Sequence, residues 1–272
     1  ANFWRLAVAT GFLAIWAHTF GLGLSGAGFS LFFLSGVIGI GLGDVALFQS
    51  LPRLGSRLSI LLVQCLSAPF AALTEFLWLG TRLTPLQLIC GGIILCGVSL
   101  ALSPGQHLNI TRRQLVVGVI FGTVAALGNA VGAVFSRKGF AVAEAMGQDI
   151  DGATTAYQRL IGGLLVGGLC LLVVKRGRFQ LQQTFPAGEK WKNAWKWVLL
   201  NAIAGQTIGV SFYQLALKTA PTGIVLAITS LTPLMVIPFA CYFENEKPQP
   251  RSIYGGILAV LGVLGLIYSK YF

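Results

Sequence analysis

Gly91-Gly92-Ile93 returns as Gly255-Gly256-Ile257, and Pro69 returns as Pro233, both at a spacing of 164 residues. Working outward, Arg5-Leu6 returns as Arg159-Leu160 and Gln49 as Gln214. Shared residues at fixed offsets over half a chain are the mark of an internal duplication. The offset grows from 154 at the arginines to 165 at the glutamines, so eleven extra residues lie between those points in the second copy. The basic stretch from Lys175 to Trp195 supplies them.

The units being repeated are membrane-length. The chain is 55% hydrophobic and 10% charged, with a mean hydropathy of +0.78, whereas a soluble domain carries roughly a quarter charged residues. Apolar stretches near the ~20 residues needed to cross a hydrocarbon core run over 3–20, 29–51, 57–80, 86–103, 115–136, 153–174, 195–217, 221–243 and 252–269. These nine spans predict an all-α, polytopic membrane bundle. The 35 glycines suit it, because small residues let helix backbones approach in lipid, and Gly39/Gly43, Gly118/Gly122 and Gly128/Gly132 have the spacing for such contacts.

Four spans belong to the first copy and five to the second. The span 115–136 precedes the Arg159 helix, but no counterpart precedes the Arg5 helix, which predicts a further helix upstream of Ala1. Copies with an odd number of crossings insert upside down relative to each other, and inverted repeats of this kind are characteristic of secondary transporters. The expected organisation is a first repeat over 1–103 and a second over 115–270, packed around a midplane cavity.

The run Gly41-Leu42-Gly43-Asp44-Val45-Ala46-Leu47-Phe48 is followed by Leu54-Gly55-Ser56-Arg57, Pro69 and Leu79-Gly80-Thr81-Arg82-Leu83-Thr84. It resembles the third and fourth helices of EamA-type members of the drug/metabolite transporter superfamily. Ala220-Pro221-Thr222-Gly223, Pro233 and Glu246 repeat the pattern. The resemblance covers the chain from the Arg5 helix through the Gly255-Gly256 helix. It implies a ten-helix secondary transporter, here without its first helix, that exports small solutes across a bacterial inner membrane. The family's glutamate after the fourth helix of each half is matched by Glu246 but replaced by Arg82 in the first half.

Membrane orientation is read two ways. Lys and Arg are concentrated on the side of the 175–195 linker, which the positive-inside rule places in the cytoplasm. The resemblance implies a cytoplasmic C-terminus and therefore an external linker.

Carboxylates inside spans are scarce. Asp44 is the outlier, because an aspartate near a helix centre costs about 2.5–3.5 kcal/mol on insertion scales and needs a partner or a water-filled cavity. It serves proton or cation coupling, or capture of a substrate ammonium, or it pairs structurally with Arg5 or a backbone group. Glu75, one turn or two from its helix end, shares a face with Gln64, Ala68 and Ala71. Ala202, Gln206, Gly209, Tyr213 and Gln214 form a stripe at helical spacing, with Gly209 as the counterpart of Asp44. Gly122, Ala125, Asn129, Gly132 and Ser136 form a second small and polar face, which lines a cavity or admits a neighbouring helix. Thr229, Ser230, Thr232 and Pro233 predict a kink. His18 is a candidate proton carrier, because histidine is the side chain suited to proton transfer, or an interfacial hydrogen-bonding group. The candidate substrate-binding or coupling residues are therefore Asp44, Gln64, Asn129, Gln206, Tyr213, Gln214, Thr229, His18 and Glu75.

Other classes are disfavoured. The net charge of +11 sits at helix ends, where lipid head groups and topology account for it, so nucleic acid is not an expected partner. Lys190, Trp191, Lys192, Trp195, Lys196 and Trp197 interleave cations with indoles, as an interfacial anchor does. Gly21-Leu22-Gly23-Leu24-Ser25-Gly26 fits a dinucleotide-binding pattern, but no βαβ unit surrounds it, and it reads as a loop. The two histidines, His18 and His107, form no metal pair, and the five cysteines have no zinc or disulfide spacing. Asn109-Ile110-Thr111 is a glycosylation sequon, meaningful only in a eukaryotic lumen. No catalytic residue, metal or cofactor is expected; the partners are a small-molecule substrate and membrane lipids. The walls implied by aromatic, Gln and Asn side chains suit a small amphipathic metabolite, such as an amino acid, or a drug-like compound. Two alternatives stand: a nucleotide-sugar or sugar-phosphate exchanger, disfavoured because Arg5, Arg57 and Arg159 lie near span ends, and a non-transporting scaffold or receptor.

Overall fold

The computed structural model describes residues 2–102, 111–178, 195–235 and 250–268. Cys241, Glu246, His107, Asn109 and the linker residues 179–194, including Lys190, Trp191 and Lys192, lie outside the described residues. The elements are α1 (Asn2–Thr19), α2 (Phe29–Ser35), a π-helical segment π1 (Gly36–Leu42), α3 (Gly43–Leu79), α4 (Pro85–Leu102), α5 (Arg112–Ala145), α6 (Gly152–Arg178), π2 (Ala202–Gly209), α7 (Val210–Thr219), α8 (Thr222–Thr229) and α9 (Pro250–Tyr268). Residues 195–201 are helical and lead into π2, and no strand occurs among the described residues. Among the described residues five stretches are long and apolar enough to cross a membrane: Phe29–Ser56, Leu58–Leu79, Arg112–Ala145, Gly152–Val173 and Pro250–Tyr268. Leu77, Val173, Trp197 and Phe212 are among many large apolar side chains left exposed, the face that lipid covers. The chain is an integral, multi-pass membrane protein with a polytopic helical fold.

Helix ends follow local chemistry. Thr84 and Gln87 form a reciprocal cap at the start of α4, with Thr84 N–H donating to Gln87 Oε1 at 3.0 Å and Gln87 N–H donating to Thr84 Oγ1 at 3.3 Å. Thr111 and Gln114 repeat the device at α5, at 3.1 and 3.3 Å. Asp151 caps α6 by accepting from the N–H groups of Ala153 and Thr154, both at 2.9 Å. The break expected between the spans 29–51 and 57–80 is a single residue, Gly55, whose φ of 79° suits a residue without a Cβ. The expected kink in the helix after Thr222 is also present: the helix stops at Thr229 and resumes at Thr232, which places Pro233 in a first turn.

The chain forms two compact units that cut across the sequence repeat. One contains Ala1–Leu42 and Gly132–Thr219; the other contains Gly43–Val131 and Ala220–Phe272. Within each unit, helices pack against their own repeat counterparts. In the first unit α1 meets α6: Gly168 lies against Phe3 and Gly167 against Leu6, while at the other end Trp16 bonds to Asp151 at 3.3 Å. Rising numbers in α1 meet falling numbers in α6, so the two run antiparallel. Leu6 and its counterpart Leu160 are both fully buried in the core between them. In the second unit α4 meets α9 in the same sense: Gly97 faces Gly255 and Ala259, Ile94 faces Gly262, and Cys90 faces Gly265. Antiparallel packing of duplicated helices is what oppositely inserted repeats require.

Candidate functional site

Polar groups in a lipid-embedded bundle must find partners inside the protein, so the buried polar residues mark where chemistry is concentrated. In the first unit, Arg159 lies two turns into α6 and is only 3% exposed. Its Nη1 donates to Gln214 Oε1 at 3.3 Å, and its guanidinium lies 5.4 Å from the centre of the Tyr213 ring. Its neighbour Gln158 is fully buried and donates to the carbonyls of Gly23 and Ser25 at 2.9 and 3.1 Å. That bond pair ties the Gly21–Gly26 stretch, which is a loop as its sequence indicates, onto α6.

Tyr213 and Gln214, two of the nine candidates, therefore converge on a residue that the sequence placed at a span end. Arg159 is a buried polar residue that sequence reasoning left out of its list. The available signal was the polar run Thr154, Thr155, Gln158 and Arg159, all buried, whose spacing puts them along one side of α6.

Along the stripe from Ala202 to Gln214, Ala202 and Gln214 are buried, Gln206 and Tyr213 are half-buried and Gly209 is exposed. Residues 202–209 form a π-helix, whose i→i+5 turn changes the spacing that an α-helix would give the stripe. The π segments themselves are related: the offset joining Gln49 to Gln214 carries π1 onto residues 201–207, almost coincident with π2. Asp44 is the second residue after π1 and is half-buried; its counterpart Gly209 ends π2.

In the second unit, Glu75 is 2% exposed and its Oε2 accepts the Thr222 N–H at 2.6 Å, at the N-terminus of α8. Ala68 and Ala71, on the same face, are also buried. Asn129 Nδ2 donates to Ser67 Oγ at 3.3 Å, and Ser67 in turn donates to Val63 O at 2.6 Å. Gln64 is half-buried, as is Thr229, whose hydroxyl donates to Leu226 O at 3.1 Å. His18, in the first unit, is exposed and sits 3.3 Å from the Tyr157 hydroxyl. The small face on α5 is a packing surface: a Cβ on Gly132 would approach Gly39 Cα to 2.8 Å, and one on Gly122 would meet Leu62 at 3.2 Å.

Each unit also carries an apolar cavity. The first, about 650 Å³, is lined by Phe12, Trp16, Asp151, Ile203 and Phe212 among others. The second, about 210 Å³, is lined by Ala68, Pro69, Gln87, Gly91 and Gly223 among others. None of the nine candidates lines either. Asp151, at the mouth of α6, is drawn upward in pKa by burial, but hydrogen bonds from Thr154, Ala153 and Trp16 outweigh this and hold its carboxyl below the ordinary range. Among the described residues no group of three His, Cys, Asp or Glu side chains could hold a metal ion.

The profile of the EamA-like transporter family matches residues 1–103 and 116–268. The chain belongs to the EamA-like transporter family. The match falls in two segments, as the duplication does, and it agrees with the drug/metabolite transporter resemblance carried by the Gly41–Phe48 and Ala220–Gly223 motifs. No curated protein matches the chain. A solved structure described only as a crystal structure of a protein is similar with a TM-score of 0.70 and 15% identity, covering 97% of this chain and 85% of that one. At that identity the likeness is one of fold. As an EamA-like protein, the chain is a membrane transporter of the drug/metabolite type.

Proposed function

We propose that the protein is a secondary active exporter of small amphipathic metabolites, such as amino acids or drug-like compounds, in a bacterial inner membrane. It works by alternating access, opening the solute path to one side of the membrane at a time. The observation that supports this most is the antiparallel packing of duplicated helices, α1 on α6 and α4 on α9, in a chain of the EamA-like family. Oppositely inserted copies of one sequence have two related ways to arrange themselves, and alternating access uses both. The two π segments at equivalent places in the repeat add to the case, because π-helical turns concentrate at functional sites.

Asp44, two residues past the end of π1, is the coupling residue in this proposal, with Gln64, Asn129, Gln206, Tyr213, Gln214, Thr229, Glu75 and His18 as further candidates for solute contact or proton transfer. An intramembrane carboxylate is a candidate for carrying a proton or cation with the solute. The test is counterflow in proteoliposomes containing the purified chain, scanned over amino acids and amphipathic compounds under an imposed proton gradient. Saturable flux driven by the gradient, lost in Asp44→Asn while the protein remains folded, is the expected result. Gradient-independent flux that Asp44→Asn leaves intact removes the coupling role. No flux of any solute favours a scaffold or receptor.

A further inference from the structure

We infer that Arg159, Tyr213 and Gln214 form a recognition site for the carboxylate group of a small monoanionic solute. The inference rests on the transporter reading and names the substrate chemistry it lacks. Arg159 is a cation 3% exposed within the membrane-crossing stretch Gly152–Val173, where a guanidinium needs compensation. Among the described residues no carboxylate forms an ion pair with it. Its contacts are the Gln214 amide oxygen at 3.3 Å and Tyr213, whose ring centre lies 5.4 Å away and whose hydroxyl also faces the guanidinium, and none of these carries charge.

Arg159, Tyr213 and Gln214 together carry more donors than acceptors, while the neighbouring Gln158 Oε1 is a buried acceptor without a partner among the described residues. Arg159 Nε and Gln214 Nε2 are buried and have no hydrogen-bond partner among the described residues, and the buried Tyr213 hydroxyl, which faces Arg159, has no acceptor for its proton. Each of the three can donate a proton to an acceptor, and a buried donor without one is unfavourable. One fixed positive charge with three donors left over is the complement of a carboxylate, which has two oxygens, accepts up to four hydrogen bonds and matches a guanidinium in plane. A single negative charge neutralises Arg159. A phosphate dianion leaves a net charge in a poorly solvated site, so the arrangement selects the monoanion.

The backbone that carries the guanidinium is also held at a fixed position. A Cβ on Gly36 would overlap the Arg159 carbonyl, so π1 packs directly on the α6 backbone at this residue. Gln158, next along the chain, is pinned by its two bonds to Gly23 and Ser25. A charge presented from a locked backbone needs little reorganisation to receive its partner.

The test uses the full chain purified in detergent and follows its thermal unfolding midpoint. Sodium acetate, propionate and butyrate are compared with acetamide, propionamide and butyramide, and with chloride and inorganic phosphate at matched ionic strength. The carboxylates should raise the midpoint through ligand linkage, while the amides, chloride and phosphate should not. Tyr213→Phe, which removes one donor and keeps the ring, should raise the half-saturating carboxylate concentration about tenfold or more. Arg159→Gln should abolish the response and Arg159→Lys should restore part of it. Equal stabilisation by amides, stronger stabilisation by phosphate, or an unchanged carboxylate response in Tyr213→Phe would overturn the site. Proteoliposome flux separates the two claims. Carboxylate binding without flux of any solute rejects transport and leaves the site standing; flux indifferent to both carboxylates and Tyr213→Phe rejects the site and leaves transport standing.

Discussion

Gly97 and Gly91 sit on the same face-bearing helix, α4, and the structure assigns them opposite responses to the same substitution. An ideal Cβ on Gly97 would stand 2.6 Å from both Ala259 N and Gly255 O of α9. Ordinary contact begins at 3.4 Å and the opposing atoms are backbone, so Gly97→Ala must push α9 away by about 0.8 Å. Moving a whole helix also loosens the packing around Gly262 and Ile94 and the 3.1 Å bond from Ser252 to Ala101 O. Overpacking of this type costs about 1–3 kcal/mol. A Cβ on Gly91 meets nothing within 4 Å, so Gly91→Ala should be neutral, or favourable by up to about 1 kcal/mol through helix propensity. The assay is unfolding of the purified protein in detergent by titration with denaturing surfactant, both variants side by side. Equal stability of the two, or a larger loss in Gly91→Ala, would refute the packing of α4 on α9.

Three further outcomes are expected. Glu75→Leu leaves the Thr222 N–H buried without its acceptor and should cost about 1–3 kcal/mol, whereas Glu75→Gln keeps an acceptor and should cost less, as read by the thermal midpoint in detergent. Phe32 is fully buried against Phe140, Ala143 and Ile150, with its ring 5.0 Å from that of Phe140; Phe32→Ala should destabilise by about 3–5 kcal/mol, measured in the same way. Asp151 has a lowered pKa in the fold, so its contribution is present above the unfolded value of about 3.9 and is lost as pH falls through the folded value. An unfolding series from about pH 6 to about pH 3 should therefore lose stability more steeply in the parent chain than in Asp151→Asn.

Hydropathy and the repeat made the membrane fold legible, and the misplacements have physical causes. The span 115–136 ends where Arg137 and Lys138 begin, yet α5 continues to Ala145. Apolar character marks where lipid is, while backbone hydrogen bonding carries the helix past it, and Arg137 is accommodated by donating to Leu217 O at 3.0 Å. The π segments have no residue signature at this level, so helical spacing did not anticipate the exposure of Gly209. Tyr213 and Gln214 were identifiable as inward-facing polar groups. Arg159 was not, because proximity to a span end is a property of sequence, whereas its burial comes from the packing of π1 and α7 around it. Glu75 was visible as an intramembrane acid, but its attachment to Thr222 bridges residues far apart in the chain.

Oppositely inserted copies make a demand on membrane sidedness that one labelling experiment can meet. In a cysteine-free background, single cysteines are placed at Ser25 in the loop after α1, at Met146 in the loop before α6, and at Lys196 beyond the end of α6; all three positions are exposed. An impermeant maleimide is then applied to sealed vesicles of one orientation. The antiparallel pairing of α1 and α6 predicts that Ser25→Cys and Met146→Cys react from the same side and Lys196→Cys only from the other. Reaction of Ser25→Cys and Met146→Cys from opposite sides, or of all three from one, would contradict the inverted duplication.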